Sequence, residues 1–373
     1  VIRLAHDGRD IELRLVSIAD SDGRGVEAVR QDRAAYDLPP GDPRPATLTR
    51  SVVFGAPDAV LLDLPQLSED QPAHRPMVAA HAVPWPGEMA VFRSPGADGF
   101  ALLTIFGSRA RIGTLVSDFY PGPTSRFDLG NALVVDLASG TLESVTDLSL
   151  FGGANALAVQ TAPGIWEIVQ AGVAELIATG RYRLTRLLRG QRGTEAAMGD
   201  PTPAGARVAV LDSALAPLPI AEADLGLPWN WRIGPAARAV SDASYTALAF
   251  TPAGRGLVPF APVHVAQPWR TARSPGDLTL RWTRRSRALV ADAWEQVEVP
   301  LAEDAESYDV QILDGAIVKR TLTSTTTSVL YTAAQQTTDW GAPFGPGQTL
   351  AIRIYQLSNR LGRGDPAAVI LQF

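Results

Sequence analysis

Apolar and polar residues alternate along most of this chain in runs too brief and too often broken to be helices. In "IELRLVSI" (11–18), Ile11, Leu13 and Leu15 oppose Glu12 and Arg14, the period of two expected of a half-buried strand. "AVLLDL" (59–64), "MVAAHAV" (77–83), "FALLTIFG" (100–107) and "ALVVDL" (132–137) are more continuously apolar, with Pro, Gly or Asp between them. "VVFG" (52–55), "NALAVQ" (155–160), "WEIVQA" (166–171), "ARVAVLD" (206–212), "DLTLRWT" (277–283), "YDVQIL" (308–313) and "TLAIRIYQL" (349–357) continue the series. No long stretch keeps a helical period free of Pro and Gly. The pattern predicts an all-β fold in several modules.

Two proline-rich stretches divide the series. "HAVPWPGEM" (81–89) reads as a crossover, and "FTPAGRGLVPFAP" (250–262) as a linker. The expected modules are 1–88, 89–255 and 256–373, and 373 residues suffice for two or three separate cores. The start at Val1, already inside a strand-like run, suggests a segment of a longer polypeptide.

The last module resembles a fibronectin type III domain, a seven-stranded β-sandwich. "FAPVHV" (260–265) stands as its first strand, "GDLTLRW" (276–282) as its second with Trp282 aimed into the core, and "YDVQI" (308–312) as its third. "GPGQTLAIRI" (345–354) and "NRLGRGDP" (359–366) supply the late turn and loop. Leu350 stands where the family usually has tyrosine, and 283–307 and 333–345 read as insertions.

Composition narrows the function. A hydrophobic fraction of 46% with 19% charged residues fits a globular chain, and no apolar run nears the ~20 residues of a membrane span. A net charge of -6 argues against a dedicated nucleic-acid binder. The absence of cysteine excludes disulfides and thiolate metal sites. Lys319 is the only lysine among many arginines, the usage of a GC-rich bacterial genome.

Several motifs look chemical and lack the context. Arg363-Gly364-Asp365 matches an adhesion tripeptide, but its glycine also suits an ordinary turn. "GRGVEA" (23–28) has the glycine spacing of a dinucleotide loop, yet "VEAVRQD" after it alternates like a strand, which favours a hairpin. Asp20 and Asp22 begin like a calcium loop that fails at Gln31. His6, His74, His81 and His264 show no ligand spacing. No catalytic residue, cofactor site or metal site is expected, and the chain reads as a non-enzyme.

The densest signal is "RYRLTRLLRGQRGTEAAMGD" (181–200), with five arginines. Tyr182, Leu184, Arg186 and Leu188 alternate with Arg183, Thr185, Leu187 and Arg189 as a strand. Gly190 ends it, and Thr194 is placed to cap a one-turn helix that Gly199 closes. Arg186, Arg189, Gly190, Arg192, Gly193, Thr194 and Glu195 form the candidate site. Two roles fit: an anion site beside Thr194, or scaffold in which the guanidiniums fork onto carboxylates such as Glu195 or Asp212. Paired arginines are the commoner case, so scaffold is the expectation.

With "LPWNWRIGPAAR" (227–238), "SYDVQILDG" (307–315) and "YTAAQQTTDWG" (331–341), this run resembles the C-terminal part of the large tail-tip proteins of gene transfer agents, a family nicknamed megatron. These are phage-derived particles that carry bacterial DNA; a more distant resemblance is to the host-specificity proteins of lambda-like phage tails. The resemblance covers about Met89 to Phe373 and more weakly a tail-hub-like 1–88. It implies a structural baseplate component of an extracellular particle assembled in the bacterial cytoplasm. It further implies a homotrimer on the tail axis among other tip and hub proteins, a host surface glycan or envelope receptor, and DNA as transient cargo. The alternative is the accessory and binding part of a secreted carbohydrate-active enzyme.

Overall fold

The computed structural model describes residues 1–32, 34, 53–266, 275–289 and 299–373. The chain divides into two compact units, Val1–Val52 and Val53–Phe373. In the first, β1 (Ile2–His6), β2 (Arg9–Asp20) and β3 (Arg24–Arg30) make an antiparallel meander. Asp7 and Gly8 turn from β1 to β2 with φ of 47° and 70°, the twist that a two-residue hairpin requires. The glycine-rich stretch at 23–25 lies in the β2–β3 hairpin and opens no helix.

The second unit begins with β4 (Asp58–Leu62) and β5 (Met77–His81), which pair with each other. The expected strand at 52–55 is not seen at 53–55, and Val52 lies outside the described residues. There follow β6 (Met89–Ser94), β7 (Ala101–Phe106), β8 (Ile112–Leu115), β9 (Leu133–Leu137), the short helix α1 (Asp147–Phe151), β10 (Ala156–Ala162), β11 (Ile165–Ala178), β12 (Arg181–Leu188) and β13 (Arg207–Val210). Beyond them come β14 (Ala216–Pro217), β15 (Trp229–Pro235) and β16 (Thr246–Phe250). The C-terminal strands are β17 (Val263–Ala266), β18 (Leu278–Thr283), β19 (Tyr308–Asp314), β20 (Ile317–Ser324) and β21 (Ser328–Tyr331). Helix α2 (Ala333–Trp340) precedes β22 (Thr349–Ser358), β23 (Gly362–Arg363) and β24 (Ala367–Gln372).

The fold is mostly β, in several antiparallel sheets. Six strands close into a barrel in the order β10-β11-β12-β9-β8-β13. Its core takes alternate residues: Leu133, Val135 and Leu137 from β9, Leu157 and Val159 from β10, Val169 and Ala171 from β11, Val208 and Val210 from β13. The residues between them face outward, and Ala158, Trp166 and Ala209 join a second core with Val60, Leu62, Met77 and Ala79 of the β4–β5 hairpin. The other face of that hairpin, Ala59, Leu61, Val78 and Ala80, meets Met89, Val91, Trp231 and Ile233 of the sheet β16-β15-β6-β7. Burial on both faces explains why these two strands read as unbroken apolar runs.

At the C-terminus, sheets β17-β18-β21 and β20-β19-β22 share one core built from Leu278, Leu280 and Trp282 on one side and Val310, Ile312, Ile352 and Ile354 on the other. Trp282 is buried and meets the Tyr308 ring edge-on at 5.0 Å. Helix α2 occupies the stretch read as an insertion. Thr332 caps it, accepting from the Gln335 backbone N–H while Gln335 returns a side-chain bond.

Candidate functional site

The arginine-glycine stretch sits where the barrel meets its surroundings. Val169 and Ala171 of β11 point into the barrel, so the period of two puts Glu167 on the same inward face. On β12 the expected alternation changes phase. Tyr182, Leu184 and Leu187 all join the barrel core, because Arg186 takes φ 55° opposite Gly172 and moves the inward face from even to odd positions. Arg189 therefore follows Leu187 inward.

Arg189 and Glu167 form a parallel two-bond pair, Nε to Oε1 at 2.7 Å and Nη2 to Oε2 at 2.9 Å, with both side chains 0% exposed. Arg189 Nη1 donates to the Tyr120 carbonyl at 2.8 Å and to Asp128 Oδ2 at 3.1 Å, and the guanidinium lies 3.9 Å from the Phe119 ring centre. Gly190 N–H donates to Glu167 Oε1 at 3.2 Å. Asp128 also accepts from Gly130 N, Asn131 N and Asn131 Nδ2. Burial alone would raise the Asp128 carboxyl, but the bonds from Asn131, Arg189 and Gly130 together hold it below the usual carboxylate value. Charges taken fully out of water are tolerated when each lone pair and proton has such a partner.

The other site residues are tied differently. Arg186 forks onto Asp147 at the start of α1, with Nη2 to Oδ2 at 2.7 Å, and stacks 4.2 Å from the Phe127 ring. The hydrogen bond from Arg186 holds Asp147 below its ordinary value. Thr194 does not cap a helix. Two 3-10 turns, Gln191–Gly193 and Glu195–Ala197, replace the expected one, and the buried Thr194 hydroxyl donates to Gln191 O while accepting from Ile168 N of β11. Glu195 pairs with Arg285 at 2.6 Å, not with a motif arginine. Asp212 pairs with Arg111.

Two glycines admit close approach. A Cβ on Gly190, φ 57°, would lie 2.8 Å from Glu195 Cα, and one on Gly193, φ 79°, would lie 2.3 Å from the Phe260 ring. Arg192 stands apart, with φ 58° and, among the described residues, one bond, Nη2 to Gln66 O at 2.9 Å. Its Nε is buried without a partner.

A further buried acid, away from the arginine centre, escaped the sequence reading. Asp63, 8% exposed, accepts the backbone N–H groups of Ala253, Gly254 and Arg255. Burial raises its carboxyl above the ordinary value against the pull of those three donors. The stretch read as a free linker is thus gripped, and Leu257 and Phe260 in it are buried. Arg255 in turn donates to Gly193 O at 3.0 Å and pairs with Asp365. Arg363 pairs with Asp309 at 2.7 Å. The adhesion-like triplet is bound up in the fold. The signal for Glu167 and Asp63 was present in "WEIV" and "LLDL": one acid inside an apolar run, which a strand buries only against a designated partner.

The histidines have separate surroundings. His6 is exposed, His74 meets Ile220 O, and His81 lies buried beside Arg109 with its pKa lowered by burial and then by that arginine. Among the described residues, no three His, Asp or Glu side chains gather to hold a metal ion.

Residues 110–209 match the family described as Rcc01698-like, C-terminal. That family is a gene transfer agent protein family. The match runs from β8 to β13, the span of the closed barrel and its arginine centre. No curated protein matches the chain. Among solved structures, the chain is similar to the glycoside hydrolase domain of Endo-D from Streptococcus pneumoniae R6, at 12% identity over 70% of this chain and 32% of that one, with a TM-score of 0.20. The chain spans about a third of that structure's length, and a likeness so slight carries no inference about fold or activity.

Proposed function

We propose that this chain is a structural component of the tail tip of a gene transfer agent particle, corresponding to the C-terminal part of the large tail-tip protein, and that it contributes to host attachment and DNA delivery without catalysing a reaction. The observation that carries the reading is the Rcc01698-like match, which coincides with the closed barrel. The chemistry of the arginine centre supports it. Arg189 is sealed onto Glu167 and Asp128, while Gly193, Glu195 and Arg255 join the barrel to the C-terminal strands. Such a junction transmits load between modules and leaves no reacting group exposed at the Arg189 centre.

On this reading residues 256–373 are a fibronectin type III-like module, three copies surround the tail axis with other tip and hub proteins, and DNA passes as transient cargo. The net charge of -6 suits a wall that does not hold DNA. The site of action is the tail tip of an extracellular particle, assembled beforehand in the bacterial cytoplasm. Reconstruction of intact particles tests this. Three copies at the tail tip are expected, and density for this chain on the head or along the tail shaft would overturn the reading.

A further inference from the structure

Arg192 is the arginine of the motif's turn. Among the described residues no carboxylate pairs with it, although Arg186 and Arg189 beside it each fork onto one. A guanidinium stays charged at any physiological pH, so its desolvation has to be met by something else. The signs of unmet demand are physical: burial alone pulls its pKa down, and Nε is enclosed with no acceptor.

Arg192 also lines a cavity of about 570 Å³, within the usual range for a small-ligand site. Leu67, Phe151, Ile168 and Leu211 give it apolar wall, and Phe151 is 67% exposed at its rim. Gln170 and Gln191 line it as well. The Nε2 groups of both amides are taken up by backbone carbonyls, Gln170 by Leu150 and Ala154 and Gln191 by Arg189. What each has left to offer a ligand is its Oε1, an acceptor.

One cation, two amide acceptors and an aromatic rim define a ligand with one negative charge, hydroxyl donors and a C–H face. A dianionic phosphate would leave surplus charge beside apolar wall, and a fatty acid would leave the amide oxygens unmatched. We infer that this cavity is a binding site for an acidic sugar, whose carboxylate lies on Arg192 and whose hydroxyls donate to Gln170 and Gln191. The inference deepens the attachment role proposed above by naming the chemistry of the host surface engaged. The isolated chain binds such a sugar wherever it sits in a particle, so the two readings fail separately.

The test is titration of the full chain with glucuronic acid, followed by calorimetry and ligand-observed NMR, with glucose and inorganic phosphate as controls. Saturable binding of glucuronate, no binding of glucose and no displacement by phosphate are expected. Arg192→Gln is expected to weaken binding at least tenfold with an undiminished melting temperature, since it removes an uncompensated charge. Leu67→Trp, which fills the cavity from its apolar wall and keeps the Arg192 charge, is expected to abolish binding. Absence of saturable binding, equal binding by Arg192→Gln, or displacement by phosphate would overturn the assignment.

Discussion

Arg255 reaches Asp365 with both terminal nitrogens, Nη1 to Oδ1 at 2.8 Å, and the side chains are 26% and 16% exposed. The acid of the Arg363-Gly364-Asp365 triplet is consequently engaged inside the fold. Because the pair is largely shielded, Asp365→Ala is expected to destabilise the chain by about 1–3 kcal/mol in chemical denaturation. Cells bearing receptors for such tripeptides should not adhere to the immobilised chain. Adhesion abolished by Asp365→Ala, with stability intact, would show the triplet to be displayed after all.

The barrel centre should respond far more steeply. Glu167→Ala strands a fully buried guanidinium, and Arg189→Ala strands two acids, so each is expected to cost about 3–5 kcal/mol. Arg186→Ala removes a solvent-screened pair and should lower the melting temperature much less. Thermal scans of the three variants decide the order, and equal effects would mean that burial is not what sets the energies.

Acid titration should separate Asp63 from the other carboxylates. Its folded value lies above the ordinary 3.8, so its contribution is complete below that pH and is lost as pH rises through the folded value. Asp128, Asp224 and Asp339 are held low, and their contributions are present above 3.8 and lost as pH falls through their folded values. The chain should therefore weaken in acid, and Asp63→Asn should weaken more steeply than the wild type. Parallel profiles of melting temperature against pH would exclude a raised Asp63.

Trp282 anchors both C-terminal sheets, packed edge-on against Tyr308. Trp282→Ala is expected to cost about 3–5 kcal/mol, read by denaturant unfolding. A cost below about 1 kcal/mol would mean that the core closes without the ring.

Most of the strand runs and the hairpin at Gly23 were legible in the sequence because each depends on neighbours a few residues away, whereas the burial of Trp282, whose ring meets Tyr308, followed from the resemblance to a fibronectin type III domain. The cap at Thr194 was misread for the opposite reason: a 3-10 turn does follow it at Glu195–Ala197, without a bond from the Thr194 side chain. Its hydroxyl is claimed by Ile168, 26 residues earlier, and no local pattern shows such a bond. Likewise the phase change at Arg186 rests on a left-handed residue that is not glycine, which propensity argues against. The proline-rich stretch at 250–262 looked like a tether since its composition suits one. Its docking depends on Asp63, almost two hundred residues away in the chain.

A barrel closed by pairing β10 with β13 has no outermost strand. Each strand has a neighbour on both sides, so nothing can be grafted onto it as an added edge strand. Neighbouring molecules that grip this part of the chain must do so through side chains and loop ends. Were copies of the chain to gather as proposed above, the barrel would lend them no strand edge to extend, and any sheet shared between them would have to start from the open sheets instead.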